Sequence, residues 1–248
     1  MRNLLVRYPG TIIITVVLVA FYIVQLVVES FTEDMLIRGV YVNEQPWRLL
    51  SSGFVHSTEF LPSAHLLSNL LMLWYVGLLL ERILGTIRFI AVFLVGVVGG
   101  SAAVVLLTSP IDGALGASGG IFALCTSLLM VLRKGATTAF ASLSTVVVIM
   151  FLQGLFMPGV SWEGHLGGAI TGIVLGATAR FQPYVLERVS DLFDVTEGIK
   201  PSVSRQKIVT EVPRRIAEVA IYAGVVALAV WLSTSHVTST LTKYGITP

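Results

Sequence analysis

Four polar side chains, Ser118, His165, His65 and Asn69, each fall within the first turn or two of an apolar run. A serine hydroxyl is a weak nucleophile until a base takes its proton, and a neutral imidazole within hydrogen-bond reach does that. Ser118 and His165 therefore read as a nucleophile and its base. A carboxylate commonly orients such an imidazole. Here the only acid near that depth is Glu163, at the mouth of its run, so the pair reads as a dyad. Phe122 lies one turn after Ser118, placed to stack on the His165 ring. Gly116, Gly119 and Gly120 leave room around the hydroxyl. They also free backbone N–H groups at a helix N-terminus, where developing negative charge is stabilised. His65 and Asn69, one turn apart on one helix face, add side-chain donors to the same place. Singly, each residue also fits a packing or interfacial role. His56 and His236 read as loop or interfacial residues, and Cys125 as a small core residue.

These side chains meet only if the helices carrying them do. The chain has 248 residues, 55% hydrophobic and only 12% charged. A soluble domain of this size is nearer a quarter charged. The deficit predicts an all-α polytopic membrane protein with one compact membrane domain. The net charge of +2 and the single cysteine give no sign of nucleic-acid binding or a disulfide framework. No cleavable signal peptide is evident: the first apolar run is too long and lacks a small-residue cleavage site. Spans of about 20 apolar residues are expected at Thr11–Val28, Ala64–Leu80, Phe89–Leu107, Leu115–Leu132, Ala139–Met157, Gly164–Ala179 and Ile216–Ser233. Ser30–Ser63 is a long outer loop, and residues 181–215 a charged cytoplasmic linker. In the sixth span, Gly168, Gly172 and Gly176 form a doubled small-xxx-small stripe that lets another helix approach closely. Gly168 and Gly172 share the face of His165.

Orientation follows from lysine and arginine in short loops. Arg2, Arg7, Arg82, Arg88, Arg133, Lys134 and the basic linker all fall on one side of the alternation. Acidic residues dominate the loops on the other side. The N-terminus is thus expected in the cytoplasm and the C-terminus outside. Spans two, four and six then all enter from outside, which brings His65, Asn69, Ser118 and His165 to one depth near the outer face. The expected location is the cell membrane.

GASGGIFAL at Gly116–Leu124, HLLSN at His65–Asn69 and GHLGGAITG at Gly164–Gly172 resemble the characteristic segments of the rhomboid intramembrane serine proteases, bacterial type. Trp47-Arg48 and Glu81-Arg-Ile-Leu-Gly85 fit the same family. The resemblance runs from about Trp47 to Gly176. It implies a six-helix catalytic core, residues 1–180, with residues 216–248 adding a seventh helix and a short outer tail. It implies peptide-bond hydrolysis in or near the membrane without metal or other cofactor. By match to the motifs, Ser118 is nucleophile and His165 general base, with His65, Asn69 and the Ser118 N–H as oxyanion hole. Gly116, Gly119, Phe122 and Gly168 are supporting residues. Partners are transmembrane protein substrates, mostly single-span with small residues and helix-destabilising sequence near the outer face, and the lipid bilayer. Oligomeric state is not encoded in these motifs. The outer loop is expected partly in the outer leaflet, with span five as substrate gate. Two departures stand out: the His56–His65 interval is longer than in many relatives, and Phe122 replaces a common tyrosine.

Gly116-Ala-Ser118-Gly-Gly120 also fits the G-x-S-x-G nucleophile elbow, but that turn needs a preceding strand and a soluble α/β sheet. A transporter would carry paired broken helices and mid-membrane charge. A metalloprotease would need an HExxH-type cluster, and none of the four histidines is spaced i, i+4 from another. The remaining alternative is a catalytically inactive rhomboid-like binder of transmembrane clients.

Overall fold

A computed structural model describes residues 6–58, 63–132, 137–156, 159–180, 182, 184–185, 188–189, 192 and 206–243. Seven long helices run through it: α1 (Pro9–Val27), α2 (Ala64–Leu84), α3 (Thr86–Leu107), α4 (Ser118–Val131), α5 (Thr137–Phe156), α6 (Trp162–Arg180) and α7 (Gln206–Lys243). The expected all-α fold, a six-helix bundle with a seventh helix added, is what the chain forms. Arg133, Lys134 and most of residues 181–205 in the expected 181–215 linker lie outside the described residues, as do residues 59–62 of the outer loop and 244–248 of the tail.

Among the described residues, α1, α2, α3, α5 and most of α7 are long and apolar enough to span a bilayer by themselves. The other two owe their place to the bundle. α4 has 14 residues, about 21 Å of helix against about 30 Å of hydrocarbon, and nearly all of them are buried. The chain reaches Ser118 through a non-helical turn. Such irregular backbone is tolerated at membrane depth where protein surrounds it. α6 is rich in glycine and buries Gly167, Gly168, Thr171, Gly172 and Leu175.

The core is a junction of α3, α4 and α6 in which backbones touch. A methyl group added at Gly168 would collide with the Gly119 carbonyl, and one at Gly172 with the Ala123 carbonyl and Thr126 Oγ1. Gly100 on α3 approaches the Gly164 carbonyl somewhat less closely, an added Cβ standing at 2.8 Å. Two hydroxyls bridge the close pair: Thr126 Oγ1 donates to the Ala169 carbonyl and Ser127 Oγ to the Gly172 carbonyl, both at 2.9 Å. Small residues and inter-helix hydrogen bonds drive association where lipid offers no hydrophobic gain. α5 lies at the other extreme, with only 11% of its apolar window buried.

Polar anchors fix the periphery. The buried Glu81 carboxylate accepts the backbone N–H groups of Gly10 (2.7 Å) and Thr11 (2.9 Å) and the Thr11 hydroxyl (2.8 Å) at the start of α1. An anion there satisfies orphan donors and meets the positive end of the helix dipole. In the outer loop Arg48 donates to the carbonyls of Glu33 (2.5 Å) and Leu36 (3.0 Å). A two-residue strand pair, β1 (Ile37–Arg38) with β2 (Gly113–Ala114), ties this loop to the turn before α4.

α7 departs from the expected Ile216–Ser233 span. It is helical from Gln206 to Lys243, so the end of the expected linker and the start of the expected tail are helix. Hydropathy marks only the part of a helix that lipid covers.

Gly172→Leu drives a side chain into the α4 backbone. Overpacking costs about 1–3 kcal/mol or more, and here the obstacle is main chain, so thermal unfolding in detergent should shift down by several degrees. Unchanged melting would put this stripe against lipid instead.

Candidate active site

The turn before α4 is shaped by Gly116. Its φ of +119° is one that side-chain-bearing residues rarely adopt, and an added Cβ would sit 2.8 Å from His65 Cε1 and 2.9 Å from His65 Nε2. The outer loop takes up the donors of this turn one by one. Gly116 N–H donates to the Ser52 carbonyl at 2.9 Å, and Ala117 N–H to His56 Nε2 at 3.4 Å. The first intrahelical bond runs from Ile121 N–H to the Ala117 carbonyl. The N–H groups of Ser118, Gly119 and Gly120 thus fall in the first turn, where no intrahelical acceptor exists.

The half-buried Ser118 borders a space of about 30 Å³, room for about one water. Ser52, Ser101, Gly100 and Gly164 share its lining. A larger cavity of about 420 Å³ lies toward the outer loop and shares Leu115 and Ser161 with the first. Thr32, Ser57, Asp112 and Glu163 line its far side.

His165 stands in the first turn of α6, buried, with its ring stacked on Phe122 at 4.3 Å between centroids and 19° between planes. The stacking anticipated from the one-turn spacing is what the helices form. Gly154 of α5 clears the other side, since a Cβ there would stand 3.0 Å from His165 Nδ1. His165 Nδ1 is buried without a hydrogen-bond partner among the described residues. The Glu163 carboxylate accepts the Ser161 hydroxyl at 2.8 Å and is engaged there rather than on the imidazole. Ser118 and His165 thus stand on the first turns of two helices in backbone contact.

His65 Nδ1 accepts the Ser57 N–H at 3.2 Å. The ring proton of the neutral imidazole is therefore on Nε2, which faces Gly116. Asn69, buried one turn further on, donates one amide hydrogen to the His65 carbonyl at 2.8 Å and keeps the other. Gly119 and Gly168 supply the α4–α6 contact, and Cys125 is a fully buried core thiol.

His56 is a loop residue, as one of the two readings from sequence had it, and not an interfacial one: it has 0% exposure. Its ring meets His65 edge-on at 5.1 Å and 68°. Gln25 of α1 clamps its backbone, accepting the His56 N–H and donating to the His56 carbonyl, both at 2.9 Å. No local spacing could mark it, because its partners come from α1, α2 and the α4 turn. Burial, and then the neighbouring His65, hold its pKa down at about 3.

That depression gives a pH dependence. Between the ordinary value of 6.5 and about 3, the unfolded chain binds a proton at this position that the folded chain does not. His56 therefore contributes a loss of stability as pH falls through that window. His56→Gln retains an acceptor for Ala117 N–H and does not titrate. The variant should lose less melting temperature than the parent between pH 7 and pH 4.5; equal losses would contradict the buried, neutral state.

The Rhomboid domain model matches residues 43–181. RHOMBOID-like protein 4 of Arabidopsis thaliana is 30% identical over 154 residues, 60% of this chain and 38% of that protein. Rhomboid protease GluP of Bacillus subtilis (strain 168) is 34% identical over 135 residues, 53% of this chain and 25% of the other. Inactive RHOMBOID-like protein 8 of Arabidopsis thaliana is 28% identical over 147 residues, 57% of this chain and 40% of its own. The chain thus spans less than half the length of these relatives. A domain match over more than half of the residues, on the helices that carry Ser118 and His165, makes this chain a member of the rhomboid family.

Proposed function

We propose that the chain is an intramembrane serine endopeptidase that cuts transmembrane proteins through a Ser118–His165 dyad. The observation that carries this reading is the half-buried Ser118 at the α4 N-terminus, beside a cavity, with the Phe122-stacked His165 on the helix whose backbone touches α4. Ser118 Oγ attacks the scissile carbonyl while the imidazole takes its proton. The Ser118 N–H, His65 Nε2–H and the free Asn69 amide hydrogen serve as the donors to the oxyanion. The imidazolium then protonates the leaving amine. Water, deprotonated by the same imidazole, releases the acyl group and restores the serine. With the phenyl face of Phe122 fixing the ring, no carboxylate is required for its orientation.

The basic loops support a cytoplasmic N-terminus, an outside C-terminus and a site near the outer face of the cell membrane. The sparse burial of α5 supports entry of a substrate helix past it. A peptide bond within a helix has its carbonyl occupied and its geometry closed, so substrates with small, helix-destabilising residues near the outer face fit this site. The likeness to a relative named inactive keeps a second reading open, a non-catalytic binder of transmembrane clients.

In liposomes with a single-span model substrate, Ser118→Ala and His165→Ala should each abolish cleavage without preventing folding, their effects being non-additive because the two act as a unit. Asn69→Ala should reduce the rate less than the ~10²–10³-fold seen where a lone oxyanion donor is lost. Turnover by Ser118→Ala at the parental rate would refute the dyad, and a parent protein that binds substrate without cutting it would favour the binder.

A further inference from the structure

α7 lies outside the Rhomboid domain match, yet it is held at two levels separated by a membrane's thickness. At one, Arg88 Nε of α3 donates to both carboxylate oxygens of the buried Glu218, at 2.8 and 2.9 Å. The Arg88 guanidinium also lies 4.6 Å over the Tyr184 ring. At the other, Val237 is fully buried in a cluster with Ile37, Val42 and Leu49 of the outer loop and Ala102 and Val105 of α3. Next to it, Asn43 Nδ2 donates to Thr238 Oγ1 at 3.1 Å. Val237 follows Glu218 by nineteen positions of helix, about 29 Å at 1.5 Å per residue.

The loop that α7 supports is the one that shapes the Ser118 turn. From Val42 and Leu49 the chain runs directly to Ser52, whose carbonyl accepts Gly116 N–H, and to His56, whose Nε2 accepts Ala117 N–H. Ser52 Oγ is also hydrogen-bonded to Ser101 Oγ of α3 at 3.0 Å. The loop therefore sits between α7 on one side and the catalytic turn on the other, with α3 as its floor. A rod anchored by an ion pair at its far end resists being pushed away from that loop.

We infer that α7 is a strut, and that Val237 and Thr238 are positioning residues that press the outer loop onto α3 so that Ser52 and His56 hold the Ser118 turn. The activity readout rests on the protease reading above; the geometric readouts do not. In a Cys125→Ser background, Asn43→Cys and Thr238→Cys should join efficiently through a short thiol crosslinker, and the joined protein should keep its turnover. Val237→Ala opens space beneath the loop and should lower kcat about ten-fold, as small misplacements at a distance do, with KM little changed. Val237→Ile should retain activity. Crosslinking positions 43 and 238 in the Val237→Ala protein should restore kcat, which a general loss of stability would not allow. Hydrogen exchange of residues 48–56 and 114–120 should quicken in Val237→Ala and slow again on crosslinking. An unjoined cysteine pair, an unchanged kcat in Val237→Ala, or a loss that crosslinking leaves in place would overturn the strut. A parent without turnover but with the predicted crosslinking and exchange would defeat the protease reading and leave the strut standing.

Discussion

Contact between backbones, with no side chain in between, is the constraint on which the rest of this molecule depends. α4 and α6 approach so closely at Gly119–Gly168 and Ala123–Gly172 that a single methyl group has no room. That separation sets the first turns of α4 and α6, which carry Ser118 and His165, against one another. The same closeness makes α4 viable: a helix too short to cross the bilayer persists because α3 and α6 enclose it. Packing and site are thus one arrangement rather than a scaffold with a site added.

Polar groups inside apolar surroundings are costly unless partnered, and the partnering here is systematic. Glu81 satisfies the start of α1, Arg48 gathers carbonyls of the outer loop, and Gln25 closes on the His56 backbone. Around the Ser118 turn the pattern is selective. The donors of Gly116 and Ala117 are taken by the outer loop, whereas those that follow at the helix start have no intrahelical acceptor. His65 Nδ1 accepts the Ser57 N–H, which leaves the ring proton on Nε2, beside Gly116. In the proposed protease reading, donors held fixed in this way stabilise charge that appears only during a reaction.

Much of this was legible along the chain because periodicity carries it. The one-turn spacing of Ser118 and Phe122 anticipated the stacked imidazole, the four-residue step from His65 to Asn69 put both on one face, and the glycine stripe of the sixth span marked the close approach. Features built from distant segments were not legible. His56 is separated from its acceptor role by 61 residues of chain, and the Glu81 clamp on α1 by 70 or more. The length of α7 escaped hydropathy because its ends are polar, and its outer contacts, at Val42 and Asn43, come from a loop without regular pattern.

The central claim is that Ser118 is a nucleophile activated by His165. Covalent labelling reads this without knowledge of any substrate. The purified protein in lipid is treated with a fluorophosphonate and the modified residue located by peptide mass. The account predicts one adduct, on the peptide carrying Ser118, and its loss in folded His165→Ala protein. An unmodified Ser118 in folded protein, or labelling of Ser118 that is indifferent to His165, would contradict it.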